Sequence, residues 1–542
     1  MRLRPPARTL ALVGFMGSGK SATGAWLADR LRLPLIETDE LIEQAAGKSI
    51  ARIFAEDGET AFRELETAAV RQATQAQGAI ISAGGGAVVR QENMQALQAA
   101  GPVIWLQVSA ATVLERTQGS DRPLLQVPDP GAEVERLLAQ RTAAYAHADA
   151  AVPTDGLTPE QVGESVFSCL GQEGRAVYFL GEPVRVPVAL AEGGYEVHVG
   201  PGLLARLGEL IPPPHDGARA AVIADAALAE TYAATVREAL HAGGWEPSLH
   251  LLPSGEASKN LAQAGELSAE LAAAGHDRGS WVFAVGGGVT TDLGGFVAAI
   301  FMRGLSLVTI PTSLLAQVDA AVGGKVAVNL PQGKNLVGAF HQPRAVVADV
   351  EALKTLPAEE WAEGLAEVIK HATIADLEMF QYLEHSVQLV RQAQPRALQY
   401  LVARNCQIKA EVVARDPQEQ NWRAVLNFGH TVGHAVERAS ESWGLGHGAA
   451  VALGMVAETR WAEARGLTPS GAAERLSALL TRAGLPSSAE GLDLEQARQA
   501  LRADKKLRSG KLALPVLTAP GEVRLEPGVS LTDLEPALDF LE

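Results

Sequence analysis

The sequence predicts an α/β protein in three parts: a parallel-sheet domain opening on a nucleotide-cradling loop, a second alternating α/β domain, and a mostly helical domain. Three observations predict this. Gly14-Phe15-Met16-Gly17-Ser18-Gly19-Lys20-Ser21 stands between an apolar run, Thr9 to Val13, and a segment of helical period, Ala22 to Leu31. A second strand and helix alternation runs from about Arg175 to Val350. Beyond Leu353 strand signals nearly vanish, and Ala, Leu and Glu-rich segments continue to about Ala503.

In order along the chain, short apolar runs at Thr9 to Val13, Ala79 to Ser82 and Val103 to Val108 read as strands, with Glu59 to Gln75 helical between them. Pro, Gly and acidic residues weaken the pattern from Pro153 to Gly174, marking a linker with one helical piece between Pro159 and Leu170. Strands are then expected at Ala220 to Ala224, Trp281 to Val285 and Leu305 to Ile310. These boundaries give domains of 1–170, 171–350 and 351–542.

The chain has 542 residues, well beyond the roughly 100–200 that one core organises. Its 63 acidic and 46 basic side chains leave a formal charge of −17, which repels polyanions and argues against nucleic acid or an anionic membrane as partner. Any anionic ligand must therefore meet local Lys and Arg clusters. Two cysteines, Cys169 and Cys406, are too few for a disulfide framework or a cysteine-based zinc site. The start, Met1-Arg2-Leu3-Arg4 before Leu10-Ala11-Leu12-Val13, imitates a secretory signal, but its apolar run is short and leads directly into the glycine loop. No stretch approaches the ~18 apolar residues of a membrane span, so a cytoplasmic protein is expected.

The G-x-x-x-x-G-K-S spacing, between strand and helix, has a mechanical purpose. Small residues let backbone N–H groups wrap phosphates, and the following helix presents its positive end. Gly17, Ser18 and Gly19 are expected in the cradle, Lys20 on the transferred phosphate and Ser21 on Mg²⁺. Three acceptor candidates follow: Asp39, Arg63 and the run Gly84-Gly85-Gly86. Read alone, the glycines also fit a tight turn and the arginines fit surface charges. With Phe62-Arg63, the sequence Arg122-Pro123-Leu124-Leu125 and Arg141, residues 9 to 165 resemble the shikimate kinases. That resemblance implies that ATP phosphorylates shikimate. Asp39 would orient or deprotonate the acceptor hydroxyl, Arg63 and Arg141 would clamp its carboxylate beside Gly84 to Gly86, and Arg122 would close over the phosphoryl group. Glu37 stands where that family usually carries a second aspartate.

Downstream, Gly286-Gly287-Gly288-Val289-Thr290-Thr291-Asp292 follows a strand and opens a helix, so backbone can approach a pyrophosphate, although G-x-G-x-x-G is absent. His430 and His434 lie four apart on one helical face, and His447 follows. With Glu367 these could make a two-histidine, one-carboxylate metal site, or one or both could be core histidines. By periodicity alone His434 is a ligand.

Pro253 to Lys259, Gly286 to Gly295, Met302-Arg303-Gly304, Pro311 to Asn335, Ala366-Glu367-Val368-Ile369-Lys370 and Leu426 to Glu437 together resemble 3-dehydroquinate synthase, over about residues 176 to 542. The resemblance implies a catalytic zinc, or another divalent metal such as Co²⁺, on Glu367, His430 and His447, with His434 a nearby base. It implies NAD at Asp225, Glu256, Lys259, Gly287, Gly288, Val289, Asp292, Thr312, Ser313, Lys334, Leu353 and Thr355. Substrate, a heptulosonate phosphate, falls to Arg303, Asp319, Lys325, Asn335, Lys370, Lys409, Arg423, Asn427 and the Lys505-Lys506 pair, with Lys325 and Lys370 catalytic and Glu419 an acid or base. The implied reaction is a lyase step without net redox change. Transient oxidation by NAD acidifies a C–H bond, phosphate leaves, the hydride returns, and an aldol closure forms the carbocycle.

Ala449 stands where that family commonly has glutamate. The resemblances together imply a P-loop kinase domain followed by the NAD-binding and helical metal-binding domains of a synthase that forms a homodimer. A related sugar phosphate cyclase paired with another kinase, or one half kept without catalysis, are the rival readings.

Overall fold

The computed structural model describes residues 9–76, 78–118, 127–170, 183–190, 193–416, 422–440, 445–489, 493–502 and 512–541. Arg122, Glu419, Lys505 and Lys506 lie outside the described residues. The chain forms two compact units: Met1–Leu180 with Gln381–Ala397, and Gly181–Phe380 with Leu398–Glu542.

In the first unit, among the described residues, strands β1 (Leu10–Val13), β2 (Leu35–Glu37), β3 (Ile80–Ser82), β4 (Val103–Gln107) and β5 (Ala150–Pro153) form one sheet in the order β2-β3-β1-β4-β5. Every pairing in it is parallel. The three strands read from the sequence are its centre. Both edges were harder to read: β2 has three half-buried residues, and β5 ends at the proline that opens the predicted linker. The linker helix lies at Pro159–Leu170, as its periodicity predicts. Gln381–Ala397 belongs to this unit: the Ala151 amide donates to Ser386 Oγ at 3.0 Å, and Arg396 pairs with buried Asp149 at 2.8 Å.

In the second unit, β6 (Val184–Leu190), β7 (Gly193–Gly200), β8 (Arg219–Asp225), β9 (Glu246–Leu252), β10 (Trp281–Gly286), β11 (Ser306–Pro311) and β14 (Ala345–Asp349) form a sheet ordered β6-β7-β14-β11-β10-β8-β9. Only β6 runs antiparallel to its neighbour among these described strands. Alternate residues feed two cores. Ala220, Val222 and Phe283 face one, while Ala221, Ile223 and Val282 face the other, as a parallel sheet covered on both sides requires. A separate hairpin, β12 (Lys325–Leu330) and β13 (Gly333–Phe340), lies between β11 and β14 in sequence. At edge strand β9, Ser248 Oγ lies 2.9 Å from His250 Nε2 and 2.7 Å from His276 Nε2, and His250 Nδ1 lies 3.2 Å from Glu270.

Helices dominate after Thr355, as predicted, and a third core gathers Val432, Val436, Leu453, Trp461 and Leu538. The chain then adds an unpredicted hairpin, β15 (Leu512–Ala519) with β16 (Glu522–Val529). Leu514 and Val516 of β15 complete the helical core, so a strand pair does work that the sequence assigned to helices.

Candidate active sites

The first site grows from the turn between β1 and the helix Lys20–Leu31. Gly17 and Gly19 take φ of 75° and 86°, left-handed values that a side chain would strain, so the loop can curl with its N–H groups inward. Lys20 opens the helix, and its Nζ donates to the carbonyls of Gly14 at 2.8 Å and Phe15 at 3.0 Å. Ser21 Oγ donates to Glu37 Oε2 at 3.2 Å. The longer carboxylate at position 37 therefore still reaches the serine hydroxyl.

The glycine triplet after β3 is more than a turn. A Cβ on Gly84 would lie 2.7 Å from Asp39 Oδ1, and one on Gly86 would lie 2.3 Å from Arg63 Nη1. Gly85 offers its carbonyl to Arg141 Nη1 at 3.2 Å and to Tyr145 Oη. The triplet thus threads between Asp39, Arg63 and Arg141, bringing all the described acceptor candidates together.

Two residues here escaped the sequence reading. Glu66 is buried and pairs with Arg63 at 2.8 Å; burial lifts its carboxyl above the usual range against the pull of Arg63. Arg116 pins the phosphate loop, donating to Gly17 O at 3.1 Å and Thr154 O at 2.6 Å. On a helix of mixed charge, both look like ordinary solvated residues.

In the second unit a cleft of about 530 Å³ is lined by Glu256, Lys259, Asn329 and Lys334, among others. Lys259 crosses it, with Nζ 2.6 Å from both Asp292 Oδ2 and Asn335 Oδ1. Asn329 donates to Glu256 at 2.6 Å and accepts from the Asn335 amide at 2.8 Å. Asp225 ends β8 and caps the next turn through the Ala227 amide at 2.8 Å. Gly287 caps the helix Gly288–Ile300, which includes Val289, and a Cβ on Gly287 would stand 3.5 Å from Ser313 Oγ. Thr312 returns to the loop through Gly286 O at 3.0 Å. Leu353 is buried, whereas Thr355 is exposed and bonds Tyr232 Oη at 2.7 Å.

Further in, charged side chains pack against one another, with Glu367, Lys370, Lys409 and Arg423 buried and the Asp319 side chain 36% exposed. Glu367 is 2% exposed and pairs with Lys370, while His430 Nε2 stands 3.4 Å from Glu367 Oε1. Burial opposes ionisation of Glu367, but Lys370 and His430 hold it well below the usual carboxylate range. Lys409 Nζ lies 2.5 Å from Asp319 Oδ1. Against burial, that ammonium holds Asp319 down to about 2, while burial draws Lys409 below its ordinary value. Arg423 is 3% exposed, and its Nη1 has no hydrogen-bond partner among the described residues. Arg303 is exposed on a turn with φ of 66°, and Lys325, Asn335 and Asn427 are also exposed.

Donor atoms of Glu367, His430 and His447 all lie within 4.8 Å of one another. His430 Nδ1 faces Phe428 O at 3.1 Å and His447 Nδ1 faces Glu437 Oε2 at 3.3 Å, which leaves Nε2 of each ring for another partner. Two imidazoles and one carboxylate so arranged fit a catalytic divalent metal with open positions. His434 stands beside them, ring centroids 5.4 Å from His430 and 5.8 Å from His447, and it also groups with Glu437 and His447. Glu437, His371 and Glu458 were missed by sequence reasoning. His371 is wholly buried with Nδ1 on Asn405 at 2.8 Å, and burial, with the nearby Lys370, lowers it to about 4. Glu458 is likewise buried, and burial lifts its carboxyl to about 7.

Comparison with known proteins accounts for both halves. Residues 16–171 match the family model for shikimate kinase, 249–363 that for the 3-dehydroquinate synthase N-terminal part, and 364–507 that for its C-terminal part. The chain is 49% identical over 355 residues to a 3-dehydroquinate synthase of Symbiobacterium thermophilum, covering 65% of this chain and 99% of that one. A 3-dehydroquinate synthase of Citrifermentans bemidjiense is 41% identical, covering 66% and 98%. Among solved structures, a 2-deoxy-scyllo-inosose synthase complexed with carbaglucose-6-phosphate, NAD⁺ and Co²⁺ superposes with a TM-score of 0.58 at 26% identity, covering 66% of this chain and 99% of that one. A 2-epi-5-epi-valiolone synthase from Streptomyces hygroscopicus with NAD⁺ and Zn²⁺ bound gives 0.58 at 31%, covering 65% and 98%. The chain therefore belongs to the 3-dehydroquinate synthase family, with a shikimate kinase domain joined ahead of the synthase portion.

Proposed function

We propose that the two sites catalyse two steps of one biosynthetic route to aromatic compounds: phosphorylation of shikimate by ATP, and conversion of 3-deoxy-arabino-heptulosonate 7-phosphate to 3-dehydroquinate and phosphate. The observation that carries the synthase reading is the convergence of Glu367, His430 and His447 beside the buried cations Lys370, Lys409 and Arg423. Three cations against Asp319 and Glu367 leave an electropositive recess in an acidic protein, which suits a substrate with two anionic ends.

When bound at these donors, zinc or cobalt would supply Lewis acidity, and NAD in the cleft would supply a reversible hydride acceptor. The chain's own residues do the rest. Lys259, Asp292 and Glu256 hold the nucleotide side, with Asp225, Gly287, Gly288, Thr312, Ser313 and Lys334 around it. Arg423, whose Nη1 has no hydrogen-bond partner among the described residues, takes an anionic group of the substrate. Lys370 and the Asp319–Lys409 pair orient the reacting hydroxyls, and His434 moves a proton beside the metal donors.

In the kinase half, Gly17 to Ser21 cradle the ATP phosphates, and Ser21 with Glu37 supports Mg²⁺. Asp39 receives the acceptor hydroxyl, and Arg63 and Arg141 clamp its carboxylate. We assign 1–170 to the kinase, 171–350 to the NAD-binding domain and 351–542, apart from the Gln381–Ala397 segment that packs into the first unit, to the metal-binding domain, and infer a cytoplasmic homodimer formed through the synthase part. No described helix is long and apolar enough to cross a membrane.

Complementation tests the pair of activities. The gene is expected to restore growth of two aromatic auxotrophs, one lacking each enzyme. Failure in one strain with success in the other would remove that half of the assignment. Substrate profiling of purified protein separates the synthase from other sugar phosphate cyclases.

A further inference from the structure

We propose that Glu458 is a positioning residue for the metal centre, a carboxylate that holds the first turn of the His430 helix and so fixes where that imidazole stands. The inference rests on the reading of Glu367, His430 and His447 as metal donors.

Glu458 is 1% exposed and lies on the helix His447–Ala464. Its carboxylate reaches the neighbouring helix, His430–Ala439, accepting from the Gly429 amide at 2.8 Å and the Val432 amide at 3.1 Å. The first amides of a helix have no partner within it, and a Ser, Asp or Asn at the cap usually takes them. Here the cap is Gly429, with φ of 76° and no side chain, so a residue from another helix takes that part.

Close approach makes this possible. A Cβ on Gly454 would stand 1.9 Å from Gly429 O, and one on Gly433 would stand 3.0 Å from Ala450 O. At Gly429–Gly454 and Gly433–Ala450 the two helices meet at backbone distance, with no side chain at either crossing to yield.

The arrangement is reciprocal. His430 opens one helix and His447 the other. Glu458, on the His447 helix, secures the start of the His430 helix, and Glu437, on the His430 helix, faces His447 Nδ1 at 3.3 Å. Each helix starts with an imidazole and lends a carboxylate to the start of its partner. Glu458→Gln keeps the volume but turns an N–H₂ group toward amides that need an acceptor, leaving one unsatisfied in a dry pocket. The first turn then shifts and carries His430 with it.

The test uses the full-length protein. Zinc affinity is measured by competition with a chromophoric chelator, and the Co²⁺-loaded protein is read by its visible absorption. Loss of a group that orients a metal-binding histidine typically weakens metal binding about 10–100-fold, and that range is expected for E458Q, with a shifted Co²⁺ band. Added metal is expected to restore most synthase activity in E458Q and none in H430A. An unchanged kinase rate shows that the first unit is intact, and a native circular dichroism spectrum shows that the second unit, which carries Glu458, is folded. Native affinity together with a native Co²⁺ spectrum in E458Q overturns the proposal. Should E458Q fail to fold, E458D, which keeps both carboxyl oxygens and shortens the reach, takes its place: an intermediate loss supports the proposal, and native affinity overturns it. If H430A itself binds zinc as the native protein does, the metal-centre reading fails, whatever Glu458 does.

Discussion

At the kinase site the groups around the phosphate loop are largely main-chain atoms, set by Gly17 and Gly19 and steadied by Arg116. At the synthase site they are side chains held in one another's fields: half-buried Asp319 with buried Lys409, buried Glu367 with buried Lys370, and buried Arg423 beside them. The first arrangement tolerates solvent and needs curvature. The second needs dryness and exact partnering of charge, because an uncompensated buried ion is expensive. Damage should therefore stay local in the first and spread through the network in the second.

The sharpest way to break this comparison is to remove one key group from each site and assay both reactions. Lys20→Ala is expected to cut phosphotransfer by about a thousandfold or more, and His430→Ala to do the same to the synthase, each leaving the other rate intact. Measured rates that fell together would show that the two sites do not act independently. Next in size, Lys409→Met is expected to lower synthase kcat/KM by about a hundredfold or more, because Asp319 then loses the ammonium that keeps it ionised. Its signature is a pH–rate profile displaced upward on the acid side. A smaller loss, about 10- to 100-fold and mainly in the KM for shikimate, is expected for Gly86→Ala, whose new methyl group meets Arg63. An unchanged KM would return the glycine triplet to the status of a simple turn.

The smallest effect concerns stability, and its sign differs between the units. His276 is buried and, with His250 and Arg219 adding to the effect of burial, falls from 6.5 to about 4. Above pH 6.5 both native and unfolded states are neutral there; as pH falls from 6.5 to 4 only the unfolded chain gains the proton, and the second unit loses stability. Asp149 is raised by burial from 3.8 to about 6, so its contribution is present below pH 3.8 and is lost as pH rises through 6. Urea unfolding at pH 7 and 4.5 is expected to show His276 costing the second unit roughly 2 kcal/mol on acidification, read as the difference between the native protein and His276→Gln, with Asp149 not weakening the first unit over the same interval. His276→Gln should flatten the former trend.

Legibility followed the same division. The phosphate loop could be read because its function is carried by spacing along the chain, and Asp39, Arg63 and Arg141 could be read because the kinase resemblance fixed their places. The metal donors were harder. Helical spacing paired His430 with His434, whereas the fold also brings His447 and Glu367 in from other helices, a relation no local period contains. Glu66, Glu437 and Glu458 look like any glutamate on a helix; burial sets Glu66 and Glu458 apart, and only the nearness of His447 marks Glu437. The hairpin β15–β16 was missed because Pro515 and the alternation from Leu512 to Ala519 give a weak strand signal after a long helical stretch.

Gly454 sets the distance between two imidazoles by having nothing to offer. Because its Cα faces the Gly429 carbonyl directly, the span between the helices is inherited as main-chain contact, and gradual exchange of one apolar residue for a slightly larger one is closed to this pair. A lineage that came to prefer a different ion would have to alter the donors themselves, because the caliper that holds them has no screw to turn.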